Sequence, residues 1–312
     1  MEIYRDINNI PTHSATVLTI GSFDGIHRGH QEIINRTVNM AKGKQIKSIV
    51  VTFDPHPRHI LKNSNSKLPI ILDLENKLSM LKNLGVDATL VVKFTSEFSK
   101  ISPEIFLEKV IRDNFHPQDL IIGYDHHFGF KRKGTPLFVK KFGENFGINV
   151  EIVDGVSDEG SVISSTRIRE QIRDGYVRRA NFELGWVYGF NAQVVRGAGR
   201  GQDLSFPTAN FIPLDSNQLL PKEGVYFTRG RVIGKQLYGM CNLGIRPTFD
   251  EGEFVMEVHF FDFHNINLYS QNIRIEFLER IRDEIKFESR IDLINQLNED
   301  KTQCLMLESK YY

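Results

Sequence analysis

The chain has 312 residues, of which 40% are hydrophobic, and its 39 lysine and arginine residues balance its 39 aspartate and glutamate residues. This length suggests about two domains. The balanced charge argues against nucleic acid as the main partner, because nucleic-acid-binding domains are usually basic. The two cysteines, Cys241 and Cys304, form no CxxC pair, which argues against a disulfide framework or a cysteine zinc site.

The N-terminus "MEIYRDINNIP" has no basic segment followed by an apolar run, so it does not read as a signal peptide. No stretch reaches the roughly 18 consecutive apolar residues of a membrane helix. We therefore expect a cytoplasmic protein with no membrane or nucleic-acid partner, present as a monomer or a weak homo-oligomer.

The first half alternates between strands and helices. Strands are predicted in "ATVLTIGSF", "IKSIVVTF", "DATLVVKF", "DLIIGY" and "INVEIV". Helices are predicted over residues 29–42, in "LENKLSMLKNLG" and in "SPEIFLEKVIRDNF", where Ser102 is a plausible N-cap and Pro103 takes the first helical position. Because the strands are almost wholly apolar, this alternation predicts an α/β domain with a doubly wound parallel sheet.

The second half changes to successive strands after about residue 184. "GFNAQVVRG", "GVYFTRGRVI", "KQLYGMCNLG", "FVMEVHFFDF" and "NIRIEFLERIR" are separated by turn residues, which predicts an all-β antiparallel sandwich or barrel. A final helix capped by Ser289 carries Ile291, Ile294 and Leu297 along one face. We expect one domain over residues 1–184 and a second over residues 185–312.

The segment "GSFDGIHRGH", residues 21–30, follows the first predicted strand and leads into a helix. Ligands bind beyond the carboxyl ends of the strands in open parallel sheets, and a helix N-terminus favours phosphate. His27 and His30 could therefore donate to phosphate oxygens. Two alternatives stay open, namely ordinary surface histidines and a metal pair, although no third ligand stands at a characteristic spacing.

The motifs resemble a known family more specifically. "GSFDGIHRGH" is similar to the HxGH signature of nucleotidylyltransferases, in its flavin-adenylating form G-x-F-D-G-x-H-x-G-H. "TFDPHP", "GYDHHFGFKRKGT" and "ISSTRIREQIRDGYVRRANFELG" resemble the later F-x-P-H-P, G-x-D-F-x-F-G and I-S-S-T-x-I-R motifs of the same branch. "FPTANF", "GVY", "NLGIRPTF" and "MEVHFFDF" resemble a riboflavin kinase module. The whole set resembles the bacterial bifunctional riboflavin kinase/FAD synthetases.

This resemblance implies a Rossmann-like nucleotidylyltransferase domain that makes FAD from FMN and ATP with release of pyrophosphate. His27, His30 and Arg167 would be catalytic there, as donors to the phosphates. The expected ATP-binding set is Gly21, Phe23, Asp24, His27, His30, Ser164, Ser165, Thr166 and Arg167. Phe53, Pro55, Asp125 and Phe128 would surround the flavin, although Phe53 and Phe128 could equally be core aromatics and the hydroxyls of the Ser-Ser-Thr run could serve as helix caps.

The resemblance also implies a six-stranded antiparallel β-barrel with a C-terminal helix that phosphorylates riboflavin with Mg-ATP. No P-loop motif is present. Thr208 and Asn210 alternate along an extended segment and would share one side, where a hydroxyl and an amide oxygen suit Mg²⁺. Gly201 would belong to a loop over the phosphates, and Glu257 would be the general base. Exposure on a polar strand face is the alternative for Glu257, and stabilisation of a turn is the alternative for Asn210.

The sequence departs from the family pattern in a few places. Ser205 and Ser270 stand where glycines are expected, and His126 stands where phenylalanine is typical. Asn265 and Asn267 also differ, in a loop that lies near the flavin in the family.

Two alternative functions are weighed against the flavin-enzyme interpretation. A nucleotidylyltransferase for another phosphorylated substrate, such as phosphopantetheine, would leave "FPTAN" and Glu257 without a role. A flavin-binding regulator without turnover would not need the complete set of His27, His30, Thr208, Asn210 and Glu257.

Overall fold

The computed structural model describes residues 1–11, 13–61, 68–197, 206–232, 234–246, 253–261 and 268–311. The chain divides into two compact units, Met1–Ser165 and Thr166–Tyr312. Among the helices in these ranges, none combines the length and apolar composition that crossing a membrane requires.

The first unit contains a six-stranded sheet and the helices that connect its strands. The strands are β1 Glu2–Tyr4, β2 Thr16–Ile20, β3 Lys47–Asp54, β4 Ala88–Lys93, β5 Pro117–Gly123 and β6 Asn149–Val153, followed by the small hairpin β7 Ser157–Asp158 and β8 Ser161–Val162. The helices are α1 Arg28–Lys44, α2 Pro57–Ile60, α3 Leu74–Asn83, α4 Pro103–Ile105, α5 Asp113–Phe115 and α6 Pro136–Phe146, with a π-helical stretch Phe106–Arg112 between α4 and α5.

The six-stranded sheet has the order β1-β4-β3-β2-β5-β6, and all of its pairs are parallel. From β2 the chain moves outward to β3 and β4, and it then returns to place β5 on the other side of β2. This winding confirms the doubly wound parallel sheet predicted from the sequence. Strand β1 was not predicted, because its three residues are too few for a periodic pattern.

The structure confirms the N-cap and the first helical residue that the sequence predicts for α4. Ser102 caps α4 by accepting from the backbone N–H of Ile105 at 3.3 Å, with Pro103 as the first helical residue. The apolar strands and the helical faces meet in one core that includes Leu18, Ile49 and Leu90.

The second unit begins with α7 Ser165–Arg173, whose first residue closes the preceding unit, and α8 Val177–Leu184. Six strands follow: β9 Gly189–Val195, β10 Ala209–Pro213, β11 Gly224–Val232, β12 Lys235–Arg246, β13 Glu253–Phe260 and β14 Asn272–Arg282. They close into an antiparallel barrel of order β10-β13-β12-β11-β14-β9. The final helix is α9 Arg290–Glu308. The barrel and its C-terminal helix confirm the predicted second fold.

Helix α9 is fixed to the barrel by a buried ion pair. The carboxylate of Asp300 is 1% exposed and accepts from Arg282 Nε at 2.9 Å and Nη2 at 2.7 Å. Ser289 caps the helix as predicted, by accepting from the backbone N–H of Asp292. The apolar face proposed from sequence is only partly used, because Ile291 is 70% exposed whereas Cys304 is buried.

Helices α7 and α8 pack with the barrel. Asn181 in α8 donates from Nδ2 to the carbonyl of Phe277 at 2.9 Å and accepts from the backbone N–H of Tyr188 at 2.7 Å. The two units therefore divide after Ser165, whereas the sequence interpretation places the boundary after residue 184. The sequence interpretation placed α7 in the first domain because the motif I-S-S-T-x-I-R extends into it. In the structure, α7 packs in the second unit.

Candidate active sites

The segment 21–30 lies at the carboxyl edge of the parallel sheet. Strands β2 and β5 are neighbours, and the chain leaves them toward opposite sides of the sheet, so the gap between them is the switch point where such sheets bind ligands. The loop after β5 carries Asp125 and Phe128, and β3 reaches the same edge at Phe53. The sheet thus brings three of the sequence motifs to one edge.

His27 and His30 form a stacked pair at the start of α1. His27 is the N-cap of the helix, and its Nδ1 accepts from the backbone N–H of His30 at 3.4 Å. The two imidazole centroids are 3.7 Å apart with an interplanar angle of 20°, and the ring of Phe23 meets His30 edge-on at 5.3 Å. The pair stands where the helix dipole favours an anion.

The backbone before α1 adopts an unusual conformation that Asp24 supports. Phe23 and Ile26 have φ angles of 45° and 35°, in the left-handed region that costs a non-glycine residue about 1–3 kcal/mol. The Asp24 carboxylate is 2% exposed and accepts from the backbone N–H groups of Ile71 at 3.1 Å and Leu72 at 3.3 Å. Asp24, expected to bind ATP, therefore also holds the loop in shape.

A buried lysine that the sequence interpretation missed supports the same loop. Lys77 in α3 donates from Nζ to the carbonyl of Ser22 at 2.8 Å. Burial lowers the pKa of Lys77, and the nearby Asp24 carboxylate opposes that shift. The sequence signal was available, because a charged residue stands beside Leu78 and Leu81 on the apolar face of this helix.

Two small residues fit closely against this loop. Ser165 donates from Oγ to the carbonyl of Asp24 at 2.9 Å, so its hydroxyl ties the Ser-Ser-Thr run to the histidine loop. A Cβ at Gly21 would stand 2.9 Å from the ring of Phe23, which explains the need for glycine at that position. Ser164 lies one residue before α7.

The expected flavin-binding residues divide into buried and exposed pairs. The rings of Phe53 and Phe128 are buried and pack on Phe106 at 6.4 Å and 5.5 Å, within the core of this unit. Pro55 and Asp125 are exposed at the sheet edge. Phe53 and Phe128 therefore pack in the core, whereas Pro55 and Asp125 have no part in core packing.

His126, which replaces the phenylalanine typical of the family, packs beside Phe128 with ring centroids 5.2 Å apart. Burial lowers the pKa of His126 to about 4, so its imidazole is neutral near pH 7. The chain has thus kept an uncharged ring at a position where the family carries an apolar one.

Thr166 and Arg167 belong to the second unit, whereas the two histidines belong to the first. Arg167 Nη2 lies 3.0 Å from Oε1 of Glu183, which is fully buried and also accepts from Arg179 Nε at 3.1 Å. Counted residue by residue, the arginine of the motif I-S-S-T-x-I-R is Arg169, which is 5% exposed. The sequence interpretation assigned the role to Arg167 and passed over Arg169.

The barrel places Asn210 and Glu257 opposite each other. Asn210 of β10 pairs with Glu257 of β13, and Glu257 pairs in turn with Asn242 of β12. Directly opposed residues share one face of a sheet, with Cβ atoms about 4.5–5.5 Å apart. The neighbours of Glu257 in the strand, Met256 and Val258, are buried in the barrel core, so the amide–carboxylate–amide row lies on the other face of these strands.

His259 is a further residue that the sequence interpretation missed. It lies two residues after Glu257 and therefore on the same strand face. Its Nδ1 lies 2.9 Å from the carbonyl of Pro207, to which it donates, and its ring meets Phe206 at 5.2 Å. The bond from His259 thus holds the segment before Thr208 against β13. The position of His259 two residues after Glu257 was the feature of the sequence that could have indicated it.

Several expected positions lie outside the described residues, namely Gly201, Ser205, Asn265 and Asn267. Ser270 is described and has a φ angle of 64°. This left-handed conformation favours glycine, which explains why glycine is the residue expected there. In the described ranges, no cluster of three or more histidine, cysteine, aspartate or glutamate side chains could hold a metal ion.

On the riboflavin kinase function that the sequence resemblance implies, Gly197→Ala is expected to impair phosphorylation of riboflavin, because a Cβ at Gly197 would overlap the side-chain amide of Asn210. We expect the rate of FMN formation to fall at least about 10-fold, as displacement of a positioning group by about 1 Å costs up to 10²-fold. Conversion of added FMN to FAD should not change. The measurement is the initial rate of each step by chromatography of the flavins.

Gly43→Ala is the matched control, because nothing lies within 4 Å of a Cβ at Gly43. This exposed helix position should accept alanine with both rates unchanged. A Gly197→Ala protein that phosphorylates riboflavin at the normal rate would show that Asn210 need not hold its position.

The comparisons with known proteins cover both halves of the chain. The FAD synthetase family model matches residues 9–167, and the riboflavin kinase family model matches residues 184–307. A crystal structure described as a macrolide-efflux protein from Streptococcus pneumoniae has a TM-score of 0.88 and 33% identity, covering 96% of this chain and 97% of that one.

Curated relatives agree with both family models. The bifunctional riboflavin kinase/FMN adenylyltransferase of Listeria monocytogenes is 36% identical over 286 residues, which cover 91% of this chain and 90% of the relative. The enzyme of the same description from Bacillus subtilis is 34% identical over 295 residues, which cover 93% and 92%. The chain therefore belongs to the bifunctional riboflavin kinase/FMN adenylyltransferase family, with a FAD synthetase domain followed by a riboflavin kinase domain.

Proposed function

We propose that the stacked pair His27 and His30, at the start of α1, binds the ATP phosphates during FMN adenylylation. Their location at the switch point of the sheet is the observation that carries this proposal. Gly21, Phe23, Asp24, Ser164, Ser165 and Thr166 complete the proposed ATP site, with Arg167 as a further phosphate donor. Pro55, Asp125, Phe53 and Phe128 form the proposed flavin side.

In this site the FMN phosphate attacks the α-phosphorus of ATP and pyrophosphate leaves. No covalent enzyme intermediate is needed, so the side chains act by positioning the reactants and by stabilising charge. His27 caps α1 by accepting at Nδ1, so in the neutral ring the proton is on Nε2 and can be donated to a phosphate oxygen. His30 is held by ring contacts with His27 and Phe23, and it can donate to a phosphate oxygen without reorganising.

We propose that Glu257 is the general base for phosphorylation and that Thr208 and Asn210 hold Mg²⁺. The register that sets Asn210 opposite Glu257 carries this proposal. A hydroxyl and an amide carbonyl are hard oxygen ligands that fit Mg²⁺, which would supply positive charge at the transferred phosphate. Gly201 is proposed to lie in the loop over the phosphates.

The riboflavin 5′-hydroxyl is a weak nucleophile until its proton is accepted. Glu257 can take this proton as the oxygen attacks the γ-phosphorus and ADP leaves. Asn210 and Asn242 flank Glu257 across the strands, and Asn242 donates from Nδ2 to Glu284 at 3.3 Å. The strand register therefore sets Glu257 between two residues that carry side-chain amides.

Incubation with riboflavin, ATP and Mg²⁺ is expected to yield FMN first and FAD second, and chelation of Mg²⁺ should stop both steps. Chromatographic separation of the flavins over time measures this. Appearance of FMN with no FAD at any time, or equal rates with and without the chelator, would contradict the proposal.

We further propose that the activities divide after residue 184 and that the enzyme acts in the cytoplasm, where ATP is available, as a monomer or a weak homo-oligomer. Riboflavin, FMN and ATP are its small-molecule partners. We do not extend macrolide efflux to this chain, because both family models and the curated relatives describe flavin enzymes.

A further inference from the structure

A groove outside both proposed active sites runs along α8 in the second unit. It consists of two adjoining cavities of about 520 and 420 Å³. Both cavities are lined by Arg178, Phe182 and Glu279, so these side chains form the partition between them. Each volume lies within the range of small-molecule sites, and no residue assigned above to either reaction lines the groove.

The first cavity is rich in arginine. Arg178, Arg179 and Arg280 line it, and the side chain of Arg178 is 72% exposed. Arg280 is fixed in place, because it donates from Nη2 to the carbonyl of Glu223 at 2.6 Å and to Asp283 at 2.7 Å. Its Nε donates to the hydroxyl of Tyr226 at 3.3 Å, so Arg280 would offer its Nη1 to a phosphate oxygen, while the exposed guanidinium of Arg178 can bind the phosphate through two N–H groups.

The absence of a side chain at Gly175 allows this arrangement. A Cβ there would stand 2.6 Å from Cδ of Arg280, and Gly175 has a φ angle of 86°. Glycine in the turn between α7 and α8 therefore lets Arg280 reach the wall of the first cavity.

The second cavity is lined by aromatic and apolar side chains. Trp186, Val187 and Tyr311 lie there beside Phe182, together with Lys310. Phe182 is 52% exposed, which is unusual for a ring of this size on a helix packed against a barrel. Flat rings of this kind stack on a nucleobase.

Most of the charged side chains that line the groove are cationic, although Arg280 is paired with Asp283 and Arg179 with Glu183 outside the lining. Arg178, Arg179, Arg280 and Lys310 line it, with Glu279 as the one acidic lining residue. Glu279 is partly engaged, since it accepts from the hydroxyl of Tyr311 at 2.9 Å and lies 3.9 Å from Arg178. A ligand that carries both phosphate and an aromatic ring complements this surface.

We propose that this groove binds a nucleoside di- or triphosphate, with the phosphates on Arg178 and Arg280 and the base between Phe182 and Trp186. The site is separate from both proposed active sites. The arginine cavity and the aromatic cavity adjoin at Phe182, so one nucleotide occupies both.

Trp186 is the only tryptophan of the chain, so its fluorescence reports directly on the groove. ADP is the probe, used without flavin so that no turnover occurs. We expect ADP to change the Trp186 emission saturably. Arg178→Ala and Phe182→Ala should each weaken the apparent ADP affinity about 10-fold, through loss of a charged hydrogen bond and of ring stacking respectively.

Arg173→Ala is the matched control, because Arg173 is an exposed arginine of α7 that lines neither cavity. Its ADP affinity should equal that of the unmodified protein. Thermal unfolding midpoints of all three variants should match, and their KM for ATP should be unchanged both in riboflavin phosphorylation and in FMN adenylylation. These values separate the groove from both proposed ATP sites.

Three results would overturn the proposal. The first is no saturable change with ADP. The second is an ADP affinity unaffected by Arg178→Ala and Phe182→Ala, or lowered in step with a raised KM for ATP, since the emission would then report the kinase site. The third is pyrophosphate binding as tightly as ADP, which would reveal a plain anion site without recognition of the base.

Discussion

His30→Ala is expected to slow FAD formation severely while riboflavin is still converted to FMN, which then accumulates. The imidazole of His30 is held against His27 and Phe23, and in the proposed site it donates to a phosphate that gains charge in the transition state. Loss of one such donor costs about 10²–10³-fold in rate. The measurement is the rate of FAD formation from added FMN, beside the rate of FMN formation from riboflavin.

This substitution tests the imidazole of His30 alone, because the donor to His27 Nδ1 is the backbone N–H of residue 30 and not its side chain. Alanine keeps that N–H, so the helix cap survives. Arg36→Ala is the control on the same helix, since within the described part of the chain Arg36 forms exposed ion pairs with Glu32 and Glu151, and such pairs contribute about 0–1 kcal/mol. Equal loss of both activities in His30→Ala would instead indicate a structural histidine or coupled domains.

Glu257→Gln is expected to reduce riboflavin phosphorylation by about 10²–10⁴-fold, the usual contribution of general-base catalysis. Glutamine keeps the size of the side chain and its place between Asn210 and Asn242, but it cannot accept the proton of the 5′-hydroxyl. The KM for riboflavin should change little, because the lost interaction acts mainly in the transition state. Steady-state kinetics of FMN formation measure both quantities.

Glu276→Gln is the matched control on the barrel. Glu276 lies in β14 and pairs with Arg229 at 2.6 Å and Arg274 at 3.3 Å, away from the row that contains Glu257. Its substitution should leave phosphorylation within a few-fold of normal, and added FMN should be adenylylated at the normal rate in both variants. Normal phosphorylation by Glu257→Gln would show that Glu257 is not the general base, and Asp262 would then be the next candidate.

The parallel sheet could be predicted because its central strands β2 to β5 are almost wholly apolar and each is followed by a helix. The barrel could be predicted only as a series of strands, and its closure came from the resemblance. Closure depends on the pairing of β9 with β14 and of β10 with β13, and in both pairs the two strands are distant in sequence. Periodicity reports which face of a strand is buried, and it does not report which strand lies beside it.

The contacts that hold the loop with His27 and His30 could not be predicted from the sequence either. The motif identifies His27 and His30, but it does not show that Lys77 reaches the carbonyl of Ser22 or that Asp24 accepts from Ile71 and Leu72. These contacts join segments about fifty residues apart. The signal for Lys77 was a charge beside an apolar helical face, and such a charge is more often a solvent-exposed residue.

The sequence by itself determined the alternation of strands and helices in the first half, the succession of strands in the second, and the motifs. These depend on residue type and on spacing along the chain, and the motifs indicate the family. The tertiary structure alone decided that α7 and α8 pack with the barrel, that Asn210 and Asn242 flank Glu257, and that a groove lined by arginine and aromatic side chains runs along α8. Each of these depends on strand register or on burial against distant segments. Register is fixed only when the whole barrel closes and one face of every strand is buried, so no local stretch of sequence contains it.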